Sequence, residues 1–464
     1  MVRDGYSPFD EQFARDVATW RDNRVIPILT SSQMRASDAL AVAARGTDAL
    51  VNAAGTAVGL EAKRLLGSCY GKRVAVIAGP GLNGSDGRVA ATWLRSRGAR
   101  VDIIAVAHQP ERLEGYDLVI DAAFGLGCAR PYVAPAVESG TLVVAVDVPS
   151  GVNADTGEIL GAPMPADVTL AIGALKYAHL TGDAAPLAGG LRFAGLGIVD
   201  HFDDGLIDDG DLVSLIEGRD DDHKWKHAVQ ALVGSTRMPG AAELVVRGAL
   251  AGGASMIRLT SRGDVAGSVH LPAEVVHADD TEVDARCRSV VAGPGLGTDA
   301  ASWLRERLSH VAVPVVLDAD GLDRALVTDV MRSDVGWILT PHEGEFVRLT
   351  GEPLPVNRVN AVRSLAKALG CVVLLKGPTT LIASPDGTLR VVRSGTAALA
   401  TAGTGDVLAG LIAATVARGH DALTASALAA HLHGRAGARL APYAPASALI
   451  GEVGDILREL GEHQ

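Results

Sequence analysis

Short apolar runs alternate with helix-like stretches along almost the whole chain. Between residues 72 and 173 the runs are KRVAVIAG, VDIIAV, DLVID, TLVVAVDVP and DVTLAIG, separated by segments such as GRVAATWLRSRG. Strands this apolar are buried on both faces, and strands that alternate with helices pair in parallel, because a parallel crossover needs a connection of helix length. A second series begins near Lys226 with QALVGS, MIRLT, SVVAG, VPVVLDADG, GWILT and CVVLLKG, and closes in helices from Gly405 onward. The acidic, weakly hydrophobic HFDDGLIDDGDLVSLIEGRDDD between them marks a boundary. At 464 residues the chain exceeds what one core comfortably serves, so two α/β domains with mostly parallel sheets are expected. A helical pattern also starts at TSSQMRASDALAVAARGTDALVNAAG, where Thr30 or Ser31 supplies the cap; the segment before it, about 1–26, has no clear period.

The formal net charge of -12 argues against a nucleic-acid partner, which needs a dense Lys/Arg face. Cys69, Cys128, Cys287 and Cys371 show no CxxC spacing, so buried, reduced thiols and a cytoplasmic setting are expected. The first residues lack the basic start and apolar run of an export signal, and no apolar run approaches the about 18 residues that span a bilayer. A soluble protein is expected.

VAVIAGPGLNGSDGRVAATWL at 74–94 has the look of a strand, a glycine turn and a helix, and VVAGPGLGTDAASWL from Val290 is a shortened echo. Their later landmarks differ, so they read as two unrelated domains and not as a duplication. Neither completes GxGxxG with a ribose-binding acid, and no GxxxxGK[ST] occurs, which weakens the dehydrogenase and P-loop readings. Ligands of open parallel sheets bind at the carboxyl ends of strands. Asn83 and Asp86 come after VAVIAG, Asp121 ends DLVID, and Asp147 with Ser150 lies in VVAVDVPSG. Each Asp alone reads equally as a turn or cap; three converging on one sheet edge favour a site.

GPGLNGSDG, DAAFGLG, DVPSGVNADTG and LTGDAA resemble, in order, the epimerase domain of NAD(P)H-hydrate repair proteins, the YjeF N-terminal family, over about 28–211. The resemblance implies a K+ ion held by Asn83, Asp121 and Ser150. It places substrate contacts on Asn83, Gly84, Ser85 and Asp86, on Gly125, Leu126, Gly127 and Arg130, and on Asp147, which would be the acid/base. Leu82 and Ser85 depart from the family's usual Asn-Asn-Gly-Gly-Asp.

TAGTGDVLAGLIAATVARG, 401–419, puts glycines before an apolar helix, where free backbone N–H groups make an anion hole, and sets Asp406 to accept a hydroxyl proton. GTGD resembles the catalytic motif of ribokinase-like kinases. With GPGLG, LDADGL, TPHEGEFVRLTG and LLKGPTTLI it is similar to the NAD(P)H-hydrate dehydratase family over about 222–460. That resemblance assigns Ala241, Gly297, His342 and Asp406 to the hydrated dinucleotide, and Lys376, Gly377, Pro378, Thr379, Thr380 and Gly405 to ADP. It also implies Mg2+; Glu343 and Glu345 read equally as lying near that ion or as surface salt-bridge partners. Trp225 stands where the family has glycine after His-Lys.

The expected architecture is therefore an extension at 1–27 and two three-layer α/β/α domains, the N-terminal one Rossmann-like and the C-terminal one ribokinase-like. The expected activity is epimerisation of R and S hydrates of NADH and NADPH, followed by ADP-dependent dehydration of the S form. A homo-oligomer is implied by the resemblance. Two alternatives stay open: a vitamin or sugar kinase that stops at the phosphorylated product, and an active dehydratase joined to a non-catalytic dinucleotide-binding domain.

Overall fold

The computed structural model describes residues 25–216, 223–265, 267–279, 281–332 and 334–462. Most of the expected extension, up to residue 24, lies outside the described residues. The chain forms two compact units, Met1–Asp204 and Gly205–Gln464, which divide inside the acidic stretch.

In the first unit Thr30 caps helix α1 (Ser31–Arg45) through a reciprocal capping box with Gln33. The helical pattern that starts there is two helices, because Gly46 parts α1 from α2 (Thr47–Leu66). The apolar runs become β1 (Arg73–Ala78), β2 (Arg100–Ala105), β3 (Leu118–Ala122), β4 (Leu142–Val146), β5 (Val168–Ile172) and β6 (Gly190–Ala194). They pair in parallel in the order β6-β5-β4-β3-β1-β2. Helix α3 (Leu82–Arg95) follows β1. Alternation along β1 sends Val74 and Val76 to the face covered by α2 and α3, and Ala75 and Ile77 to the opposite face. There Leu113, Tyr132 and Met164, from irregular segments and two-residue strands, complete the cover.

The second unit opens with β7 (Ala228–Ser235), α4 (Pro239–Ala251), β8 (Met256–Arg262) and β9 (Val275–His277). Then come β10 (Ser289–Ala292), β11 (Val315–Leu317), β12 (Trp337–Leu339), α5 (Glu343–Thr350) and β13 (Val372–Leu375). An antiparallel hairpin, β14 (Thr380–Ala383) and β15 (Leu389–Val392), is followed by α6 (Thr404–Ala417) and α7 (Ala422–Arg439). These strands run β15-β14-β13-β12-β11-β10-β7-β8-β9 within the sheet, parallel from β13 to β9, and the two-residue strand Gly205–Leu206 pairs with the outer side of β15. Helix α6 is buried nearly all round and packs on α4. The glycines at the seam explain how: a Cβ on Gly410 would overlap the Val245 carbonyl oxygen, and one on Gly248 would reach 2.5 Å from that of Val407. Trp225 lies just before β7, at the far end of that strand from Ser235, with the Arg286 guanidinium 3.7 Å from its ring centroid. All four cysteines are buried and none is in a disulfide.

Candidate functional site

The strand ends of the first unit close on a cavity of about 420 Å3 lined, among others, by Asp38, Asn83, Asp86, Gly125, Leu126, Gly127, Asp147 and Lys176. The loop after β1 is tight enough that a Cβ on Gly84 would overlap the Gly79 carbonyl oxygen, so this turn and the start of α3 fit one another only with glycine there. Ser85 turns back along its own helix, its hydroxyl 3.4 Å from the Gly81 carbonyl. Leu82 stands exposed on the cavity rim. Arg130 is exposed and is not among the cavity-lining residues; Gly84 and Ser85 support the turn without lining it.

Asp147 sits just past β4 at φ 66, a left-handed conformation uncommon for a non-glycine residue. The fold holds it there from several sides. Its N–H donates to Leu170 O at 2.8 Å, Oδ1 accepts from Ile172 N at 3.1 Å, and His179 Nε2 lies 2.6 Å from its carbonyl. The Lys176 ammonium, fully buried, pairs with Oδ1 and donates to the carbonyls of Ile172 and Ala174 at 2.7 and 2.8 Å. Lys176 and His179 carry no motif signal in the sequence, and Asp38 was equally unmarked. Asp86, buried on α3, is different: among the described residues no group hydrogen-bonds to its carboxyl. Burial, with the charges of Asp147 and Asp38 added, pushes that carboxyl up to about 8.

Asp121, buried at the end of β3, accepts from the Ser150 N–H at 2.9 Å and from the Ser150 hydroxyl at 2.6 Å. Burial raises its proton affinity against these hydrogen bonds. Its hydrogen-bond donors are neutral groups, so a monovalent cation would compensate the carboxylate. The oxygens around it, from Asp121, Ser150 and the Phe124 carbonyl 3.0 Å from Ser150 Oγ, are the donor type K+ prefers. Asn83 donates to Val146 O at 3.0 Å and lies against Gly125.

In the second unit the residue after each of several strands turns towards one spot. Asp318, after β11, accepts from Thr340 Oγ1 at 2.8 Å and from Lys376 Nζ at 2.7 Å. Lys376, after β13, also lies 3.6 Å from Glu345. Burial pulls its ammonium down, but Asp318 and Glu345 outweigh this and hold it protonated. Asp406 is in the first turn of α6, behind Gly403 at φ 91, and among the described residues nothing hydrogen-bonds to its carboxyl. Burial and the charge of Asp318, opposed by Lys376, push Asp406 up to about 7. A Cβ on Gly405 would stand 3.5 Å from Lys376 Nζ, which places the turn beside the ammonium. The start of α6 is pinned by His433, whose Nε2 lies 2.9 Å from Thr404 O; burial lowers its imidazole to about 4, so the neutral ring donates.

His342 caps α5, its Nδ1 accepting from Gly344 and Glu345 N–H at 3.0 and 3.3 Å, which puts the ring proton on Nε2. Glu345 completes that cap at His342 N, 2.8 Å, whereas Glu343 pairs with Arg358 at 3.0 Å. Gly297 donates to Asp320 at 2.8 Å, and Gly295 lies against Ala241. Gly377, Pro378 and Thr379 form the β13–β14 connection next to Lys376, and Thr380 opens β14. Asp318 and His433 escaped the sequence reading; the strand-end position of Asp318 in LDADGL was the available signal.

Mostly parallel sheets with clustered carboxyls at their strand ends, and glycine turns that open helices beside them, define an α/β enzyme with two carboxylate-bearing sites. The model of the YjeF-related protein N-terminus matches residues 47–115 and 105–178, and the NAD(P)H-hydrate dehydratase model matches 229–458. A bifunctional NAD(P)H-hydrate repair enzyme of Mycobacterium tuberculosis (strain CDC 1551 / Oshkosh) is 36% identical over 427 residues, 83% of this chain and 88% of its own. One of Thermofilum pendens is 34% identical over 461 residues, 84% of this chain and 86% of its own. A solved ribokinase-like superfamily protein of Enterococcus faecalis V583 shares the fold, with TM-score 0.50 and 21% identity over 56% of this chain and 98% of its own. The chain belongs to the bifunctional NAD(P)H-hydrate repair enzymes, the metabolite-repair family that joins an epimerase domain to a dehydratase domain. No helix among the described residues is long and apolar enough to cross a membrane.

Proposed function

We propose that the first unit interconverts the R and S hydrates of NADH and NADPH at its cavity, and that the second unit dehydrates the S form at the expense of ADP. The observation that carries the second half is Asp406: a half-buried carboxyl without a hydrogen-bond partner among the described residues, at the opening of α6 and beside an ammonium. Ionised, Asp406 takes the proton of the hydrate's hydroxyl. The oxygen then attacks the terminal phosphorus of ADP, and the bond to the AMP oxygen breaks. Phosphate leaves the ring with its C–O electron pair while the neighbouring ring carbon loses a proton, which restores the double bond of NAD(P)H. The N–H groups at the start of α6 and the Lys376 ammonium face the charge that develops on the phosphoryl oxygens. Lys376, Gly377, Pro378, Thr379, Thr380 and Gly405 would cradle the nucleotide; Ala241, Gly297 and His342 would hold the hydrate.

Asp318 and Glu345 already face Lys376, so Mg2+ is proposed as part of the nucleotide co-substrate, where it neutralises phosphate charge. In the first unit Asp121, Ser150 and Asn83 would hold K+, whose chemistry there is to offset the buried carboxylate and fix the loops that carry Phe124 and Ser150. Asp147 would be the acid/base of epimerisation. The resemblance also supports self-association, which light scattering would read directly, and the buried cysteines support a reducing, cytoplasmic setting.

The test is recovery of NADH absorbance from mixed R and S hydrate with the full chain, ADP, Mg2+ and K+. Recovery from both epimers is expected. Recovery limited to the S share would leave the first unit a binding module, and a stable phosphorylated product would return the second to the simple kinases.

A further inference from the structure

We infer that Asp86 is a second catalytic carboxyl of the epimerase cavity, acting as the proton donor opposite Asp147, and that inversion proceeds by loss and re-addition of the hydroxyl group. The inference rests on the epimerase reading above and deepens it. Three carboxyls line the cavity and are held differently. Asp147 is tied to Lys176, Ile172 N and its own strained backbone, whereas Asp86 is buried to 7% exposure and is free of hydrogen bonds from any described residue. Asp38, on α1, is less buried and lies on the same lining. A carboxyl shut away from bulk water, turned to a cavity and without an internal donor is a group kept for a ligand.

The charges around Asp86 favour its neutral, donating form. Asp38 on α1 and Asp147 after β4 face it from neighbouring elements; Lys176 is committed to Asp147. Arg35 sits on the lining from an exposed position, and Arg88, on α3 itself, donates to Gly79 O at 3.2 Å. Two like-charged carboxylates in one enclosed site push one of them to hold its proton, and here the ammonium decides which.

The chemistry balances with water as the only co-reactant. Asp86 gives its proton to the hydroxyl oxygen on the hydrated ring carbon. The C–O bond breaks with its electron pair leaving as water, while the lone pair of the ring nitrogen forms a C=N bond. A water on the other face then adds its oxygen to that carbon, the C=N pair returns to nitrogen, and the water's proton passes to Asp147. Proton exchange with solvent resets the pair, and the reverse direction exchanges the two roles. Lys176 is a positioning residue that fixes the Asp147 carboxylate.

The test uses the full chain with R-enriched NADH hydrate and K+, in water enriched in heavy oxygen, without nucleotide so that dehydration is silent. Epimer ratio is followed by chromatography and the hydrate's mass by spectrometry. Wild type should gain one solvent oxygen per inversion. Asp86→Asn should invert about 10²- to 10⁴-fold more slowly while binding hydrate within a few-fold of wild type, and Asp86→Glu should restore part of the rate. In wild type, kcat/KM for inversion should fall above about pH 8, where Asp86 loses its proton, and that limb should vanish from the residual rate of Asp86→Asn. Inversion with retention of the original oxygen, or an Asp86→Asn rate equal to wild type, overturns the inference while leaving the epimerase reading intact. Failure of wild type to invert at all sinks both. Should Asp86→Asn not bind hydrate, the oxygen label in wild type and the pH limb of Asp86→Glu decide.

Discussion

The cavity of the first unit and the cluster of the second solve one electrostatic problem with unrelated chain segments. Each has a lysine paired to a strand-end aspartate, Lys176 with Asp147 and Lys376 with Asp318. Each also has a second aspartate, Asp86 or Asp406, near the start of a helix behind a glycine turn, with no hydrogen bond from a described residue. In the first unit the paired aspartate carries the expected acid/base chemistry; in the second the unpaired one does. The comparison teaches that position after a strand does not assign a role. What separates the carboxyls is which of them the ammonium neutralises, leaving the other to burial.

The comparison is broken most severely by exchanging the two chemistries. Asp406→Asn should lower dehydration by about 10²- to 10⁴-fold and leave epimerisation alone, and Asp147→Asn should do the reverse. Separate assays of epimer ratio and of NADH recovery read the two losses, and a variant that lost both would show that the sites are not independent. Lys176→Met tests the pairs. It leaves the Asp147 carboxylate buried without its cation, a change expected to destabilise by about 3–5 kcal/mol, measured by urea unfolding of the first unit. Lys376→Met should be milder, because that side chain keeps 21% exposure.

Subtler is the effect of Lys376 on Asp406. The ammonium lowers the Asp406 value, so Lys376→Gln should move the acidic limb of dehydratase kcat/KM upward from about 7. An unmoved limb would remove Asp406 as the titrating base. Smallest is a stability effect. Between the ordinary carboxylate range and about 8, folded Asp86 holds a proton that the unfolded chain releases, so stability falls as pH rises through that window. Asp86→Asn should therefore melt above wild type at alkaline pH, and the gap should close on acidification.

Much of this was legible from residues alone. Apolar runs such as VAVIAG and VVLDADG marked strands, and Asp121 near the end of β3, Asp147 just past β4 and Asn83 at the start of the helix after β1 fall at the edge where a parallel sheet binds ligands. The two helices met at Gly46 were not separable, because the helical period runs through both and a single glycine is tolerated inside many helices. Lys176 was invisible for a different reason. In GALKYAHL it looks like an ordinary surface lysine, and its partner Asp147 lies 29 residues earlier, so only the sheet brings them together. His433 hid likewise inside a helix of small residues, since its task, holding Thr404 O, is set by packing between helices.

The seam between α4 and α6 has a consequence for how this chain tolerates chance variation. Backbone meets backbone there at Gly248 and Gly410, so a single added methyl group must push one helix away from the other. Asp406 rides on one of these helices and Ala241 on the other. A displacement of about 1 Å in aligned reacting groups is enough to cost some 10²-fold in rate. In a library of random variants, alanine at 410 would therefore be recovered among the inactive, still folded chains, and a screen for loss of function would trace this buried groove as clearly as the pockets themselves.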